Sequence, residues 1–166
     1  MKIAYRCVFV FGFLCFAAPT YAQMQSLTAK DTWAAAKFSP QEIQQITAAV
    51  EDSAFDTPNS WEQELRVRRV DLGAAPGIVA QGTSLLCGGT GNCQIFVLQK
   101  TNGKWVSLFK ADAPIGDSFE LGPSLTRGIK DLTVTMNASA AKSGHTVYKF
   151  DGQFYQKATT PNKKLA

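Results

Sequence analysis

The chain has 166 residues, and its 17 lysines and arginines outweigh 13 acids for a net charge of +4; it has one histidine besides. Hydrophobic residues make up 45% of it, enough for the core of one domain, and no clustered basic face marks a nucleic-acid or acidic-membrane binder. A lone histidine also excludes histidine-rich metal centres and leaves little material for histidine-based catalysis.

Lys2 and Arg6 precede a short apolar run from Val8 to Phe16, and Pro19 with Thr20-Tyr21-Ala22 puts small residues where a signal peptidase reads. Residues 1–22 therefore have the pattern of a cleaved secretory signal. The run is too short for a membrane helix, which needs about 20 apolar residues. Leu14 before Cys15 is too large for the usual lipoprotein site. The expected product is exported, to a periplasm or beyond, with no membrane span in the mature chain. Losing Lys2 and Arg6 brings its net charge to +2.

Residues 23–38 form a lead segment in which Ala34-Ala35-Ala36 favours a short helix or a loose arm. A single domain is expected over 39–158. It opens with Ser39-Pro40-Gln41-Glu42, a capping box with proline in the first helical position. Ile43, Ile46, Thr47 and Val50 follow at helical spacing and predict a helix over 40–53. Asp56-Thr57-Pro58-Asn59-Ser60 ends it.

The pattern then turns to strands. Residues 62–72 alternate, with a change of phase at Arg68-Arg69 that predicts a bulge. A short strand over 77–81 follows. Residues 94–100 contain Ile95-Phe96-Val97-Leu98, apolar on both faces, as a strand covered on both sides would be. Asn102-Gly103 predicts a tight hairpin into 104–109. Further strands are expected over 119–121, 131–136 (Leu132, Val134 and Met136 inward), 146–150 and 153–156. A two-residue turn at Asp151-Gly152 would set Tyr148 against Tyr155. The polar end, 159–166, reads as a loose tail. A helix followed by a run of strands gives an α+β fold: an antiparallel meander of six to eight short strands with the N-terminal helix packed on one face.

Cys7 and Cys15 leave with the signal, so Cys87 and Cys93 remain, an even pair that in an exported chain reads as a disulfide. Gly88, Gly89 and Gly91 make the intervening loop pliable. Closing so small a ring is worth about 2 kcal/mol, so the bond fixes a loop more than it holds the domain together.

Arg69-Val70-Asp71-Leu72-Gly73, Gly77-Ile78-Val79, the Cys87–Cys93 loop and Tyr148-Lys149-Phe150-Asp151-Gly152 together resemble a group of small exported bacterial proteins to which no activity is assigned. The Asp71 turn is also similar to calcium-binding turns of the FG-GAP type, but Gly73-Ala74-Ala75-Pro76 stands where those carry acids and asparagines, and a hard cation wants six or more oxygens. Ser143-Gly144 followed by Tyr148 is similar to the loop of lysozyme inhibitors, with a different spacing.

No catalytic constellation emerges. His145 sits in an expected loop; the acid pairs Glu62 with Glu64 and Glu51 with Asp52 read as solvated charges. The glycines from Gly88 to Gly91 lack the lysine and helix of a phosphate loop. No metal and no cofactor is expected. The expectation is a non-enzymatic binding or inhibitory module of the bacterial envelope, facing a protein or glycan with Gly88, Gly89, Thr90 and Asn92, joined by Trp105 and Arg127. The alternatives are a small carboxylate-dependent hydrolase and a structural subunit of an envelope assembly.

Overall fold

The computed structural model describes residues 24–139 and 142–158; the expected signal over 1–22 and tail over 159–166 lie outside the described residues. Helix α1 spans Pro40–Glu51. Its capping box forms as the residue types dictate: the Glu42 amide donates to Ser39 Oγ at 3.2 Å and the Ser39 amide to the Glu42 carboxylate at 3.3 Å. Ile46 and Val50 are fully buried, with Ile43 and Ala49 beside them, so one stripe of the helix faces the strands. The helix stops at Glu51, and the Ser53 amide closes a turn onto the Val50 carbonyl at 3.0 Å. A single helical turn, α2 (Trp61–Glu64), precedes the strands.

The strands form two antiparallel meanders. The first runs β1 (Leu65–Asp71), β2 (Pro76–Gly82), β3 (Cys93–Thr101), β4 (Lys104–Ser107), with the short β5 (Ile115–Gly116) paired to the start of β3. The second runs β6 (Ser118–Thr126), β7 (Ile129–Ser139), β8 (Lys142–Phe150), β9 (Tyr155–Lys157). What reads in the sequence as one meander of six to eight strands is therefore nine strands in two stacked sheets among the described residues. Helix α1 covers the far face of the first sheet, so the molecule has three layers.

The first sheet is buried on both sides, and this explains its composition. Ile78, Ala80, Phe96 and Leu98 face the helix together with Trp105. Val79, Ile95 and Val97 face the second sheet, where Phe119, Leu132, Val134 and Tyr155 meet them. The doubly apolar run in β3 is thus the middle of the stack, as its pattern implies. Asn102 and Gly103 both take positive φ, 51° and 79°, and close the expected tight hairpin between β3 and β4.

Four expectations are corrected. There is no bulge at Arg68-Arg69: β1 pairs with β2 in unbroken register from Leu65 opposite Gly82 to Asp71 opposite Pro76. The change of phase arises because both faces of β1 are used, Leu65 and Val67 toward the helix and Val70 toward the second sheet. The lead segment is not a helix but a strap of turns. It buries Leu27 and Trp33, and its Asp31 carbonyl accepts from the Val67 amide at 3.0 Å, covering the edge of β1.

The turn at Asp151 is longer than two residues. The Asp151 carboxylate accepts from the Gln153 and Phe154 amides, both at 2.8 Å, so Phe150 pairs with Tyr155, and Tyr148 with Lys157. Tyr148 and Tyr155 both pack on Phe109, at 5.6 and 5.5 Å between ring centres. Met136 points outward, 45% exposed, as β7 runs past the edge of the core.

The sheets are stitched at their corners. Beyond β1, Gly73 bridges to Ile129, the Lys130 amide donates to the Leu72 carbonyl, and the Ala74 amide to the Gly128 carbonyl, each bond at 2.8 Å. At the other end the Asp117 amide donates to the Thr135 carbonyl at 2.8 Å. Gly116 lies so close to β7 that a Cβ there would stand 2.4 Å from Val134 Cγ1.

Candidate functional site

The disulfide between Cys87 and Cys93 is formed, with the two Cα atoms 3.9 Å apart as an antiparallel bridge. Inside the ring the Gly88 amide donates to the Asn92 carbonyl at 2.8 Å, and the Gly91 amide to the Gly88 carbonyl at 2.9 Å. Gly91 takes φ 77°, a conformation open to glycine, which completes the turn. Residues Gly88, Gly89, Thr90 and Gly91 are exposed at its tip.

Asn92 does something else. Its side chain is 4% exposed and turned inward: Nδ2 donates to the Asn137 carbonyl at 2.8 Å, and Oδ1 accepts from the Asn137 amide at 2.8 Å. The carboxamide behaves as an extra peptide group paired with β7. The loop is therefore held by a covalent bond on one side and by this two-way clamp on the other. A shallow cleft of about 340 Å³ lies between Gly89, Thr90, Asn137 and Ser139.

Three large apolar side chains are exposed in the segments that converge on this end. Phe55 is 51% exposed, and its amide donates to Gln94 Oε1 at 3.1 Å. Ile115, 41% exposed, stands opposite Gln94 in the β3–β5 pair, and Leu85, 52% exposed, shortly precedes Cys87. The Gln94 side chain is buried and also donates to the Ser53 carbonyl at 3.4 Å, so it ties the segment after α1 to the start of β3. None of these residues is prominent in the sequence. Each is a single apolar or amide residue whose neighbours come from distant parts of the chain.

Trp105 and Arg127 do not join this site. Trp105 lies opposite Lys100, seven residues along β3 from Cys93 and so about 23 Å away. It is 5% exposed, packed under α1 edge-on to Phe38 at 6.2 Å. Arg127, with Gly128, forms the tight turn between β6 and β7 (φ 51° and 83°), at the opposite end of β7 from Asn137. Of the residues singled out in the sequence, Gly88, Gly89 and Thr90 stand at one exposed place, and Asn92 supports them from inside.

The chemical groups elsewhere are engaged structurally. His145 lies on the outward face of β8, with Nδ1 2.9 Å from Thr135 Oγ1 on β7. Ser143 and Gly144 are part of β8 and not of a loop. Asp71 accepts from Lys130 Nζ and from the Gly73 amide, at 2.8 and 2.9 Å; these bonds, the lysine's first, hold its carboxyl below the usual range. An ammonium thus stands where the resemblance to calcium turns would want a cation. Among the described residues no three of His, Cys, Asp and Glu gather as metal ligands, and no helix is long and apolar enough to cross a membrane.

Compared with protein-family models, with curated proteins and with solved structures, the chain matches none. The reading of its function therefore rests on its own residues.

Proposed function

We propose that this chain is a small exported binding module that holds a protein of the cell envelope against its stapled-loop end. The observation that carries the reading is the fixation of an exposed, glycine-rich tip from both sides, by Cys87–Cys93 and by the Asn92 clamp on Asn137. A loop fixed before it meets its partner loses little conformational freedom on binding. The surrounding Phe55, Leu85 and Ile115 supply apolar area of the kind that forms the centre of an interface. The loop from Ser84 to Asn92 carries no charge, so recognition would rest on shape, apolar contact and backbone hydrogen bonds.

The hydrolase alternative draws less support. Catalytic carboxylates must converge in a concavity. Among the described residues, the groove between α1 and β4 is lined by the single acid Asp52, and the groove beside β1 by the single acid Asp31, which is already paired with Arg68 at 2.7 Å. Glu64 is used to accept from Thr83 Oγ1 at 2.8 Å.

The test is capture of partners from envelope extract by the oxidised chain and by Thr90→Arg and Phe55→Asp, each checked for its fold by circular dichroism. A stoichiometric protein retained by the parent and lost by both variants supports the reading. Equal capture by all three moves the site away from this end, and a partner that survives protease but not glycosidase treatment makes it a glycan.

A further inference from the structure

A second feature, at the other end of β3, points to a different ligand chemistry and is independent of the stapled loop. Helix α1 and β4 enclose a groove of about 570 Å³, walled by Ala48, Trp105, Phe109 and Phe154. That is within the range of sites that bind small molecules or peptide side chains. On the other face of β4 lies a second groove, of about 370 Å³, which shares Val106, Ser107 and Phe154 with the first.

Between the two grooves runs an unpaired strand edge. β4 pairs only with β3 among the described residues. In a two-residue hairpin the closing pair, here Thr101 and Lys104, exchanges both hydrogen bonds, and so does every second pair beyond it. Val106 therefore bonds to β3, and the amide and carbonyl of Trp105 point away from it. An added strand would find peptide partners there. Its side chains, alternating in direction, would find a groove on each face.

Two buried polar atoms in the wall of the larger groove have no partner among the described residues: Trp105 Nε1, a donor, and Gln45 Oε1, an acceptor. An unpaired buried group of this kind is costly, and a ligand that pairs it is favoured. Once Trp105 and Gln45 turn toward the groove, a peptide group offers a carbonyl for the first and an N–H for the second. Charge narrows the choice further. Lys104 and Lys110 line the larger groove, are exposed and lie outside the ion pairs of the described residues, while the acid lining that groove is Asp52. A second copy of the chain seated on this edge would bring a further Lys104 and Lys110 to the same place, and this added like charge disfavours a homodimer.

We propose that the β4 edge and its two grooves bind an extended partner peptide by strand addition, with an apolar middle and an acidic residue toward each end. The probe is a pooled library of acetylated, amidated hexapeptides with Asp or Glu at both ends and Val, Leu, Phe or Thr between. The readout is the indole N–H resonances of the tryptophans. Titration should move the Trp105 signal downfield and saturably, while Trp33, whose Nε1 already donates to the Glu62 carbonyl at 3.0 Å, stays in place.

Ala48→Phe, at an exposed position of α1 that fills the groove, should weaken binding at least tenfold, and so should Lys104→Glu with Lys110→Glu. Methylating alternate amides of the best peptide should do the same. A Trp105 signal that does not move at millimolar peptide overturns the proposal. So does binding that ignores Ala48→Phe, or binding unchanged by amide methylation, which would leave a groove for side chains without an added strand. Self-association in sedimentation that disappears on Val106→Lys would assign the edge to a second copy instead.

Discussion

Asn92 shows how a residue's role depends on a partner that sequence order hides. Next to Cys93 in an exposed-looking loop, it reads as a contact residue; the backbone it pairs with belongs to Asn137, and nothing local announces that pairing. Asn92→Ala removes both bonds and leaves the Asn137 amide without its acceptor. The loss should be about 2 kcal/mol in urea unfolding at unchanged m-value. A loss within experimental error would mean that the disulfide alone positions the loop. Asp31 is the residue with the clearest pH signature. Its carboxylate takes two bonds from Arg68, at 2.7 and 2.9 Å, and one from the Thr28 amide at 2.7 Å; the Arg68 bonds, foremost, hold its pKa at about 2 against an ordinary 3.8. The depressed value means that the folded state favours the charged form. The resulting stability is present in full above the ordinary value and is lost as pH falls from there through about 2. Asp31→Asn should lower stability by about 1 kcal/mol at pH 7, the upper end for a pair that is partly exposed, and should flatten the acid limb of the unfolding midpoint against pH. An acid limb identical to the parent's would show that other carboxylates govern it.

At the scale of elements, what is legible in the sequence is what depends on neighbours along the chain. The capping box at Ser39, the Asn102-Gly103 turn, the doubly apolar β3 and the cysteine pair each carry their instructions within a few residues, and each forms. The bulge in β1 fails because a change of phase has two causes, an extra residue or a strand buried on both faces, and only the layer above distinguishes them. The Asp151 turn fails because a carboxylate that accepts two amides sets a longer loop than the Asp-Gly pair implies. The division into two sheets is equally invisible, since it rests on where the turns dock. Gly73 makes this concrete. It takes φ +101°, and a Cβ there would stand 2.7 Å from both the Gly128 carbonyl and Leu125 Cδ2. Gly73→Ala must therefore strain its backbone and push the β6–β7 turn off the corner, with an expected loss of about 2–3 kcal/mol. Ala74→Gly, which keeps the Ala74 amide and its bond to Gly128, should cost less than half as much. Equal losses in thermal unfolding would mean that the corner yields and does not join the sheets.

At the scale of the whole molecule, the first sheet belongs to two cores at once. Ile78 and Phe96 face the helix, and their strand neighbours Val79 and Val97 face the second sheet. Neither outer layer can leave without uncovering a face of β2 and β3, and a strand stripped on one face loses part of what holds the other. The layers should therefore unfold together, although their hydrophobic clusters are separate. The tryptophans and tyrosines make this measurable: Trp33 and Trp105 are buried on the helix side, and Tyr155 is buried between the sheets. Ile46→Ala empties a fully buried site under the helix, and Leu132→Ala one between the sheets, each at a cost of about 3 kcal/mol. If the middle sheet couples the cores, either substitution should move the tryptophan fluorescence transition and the tyrosine near-ultraviolet transition to the same new midpoint. If Ile46→Ala shifts only the tryptophan transition, the helical layer is a separate cooperative unit, and the α1–β4 groove can open without disturbing the stapled loop.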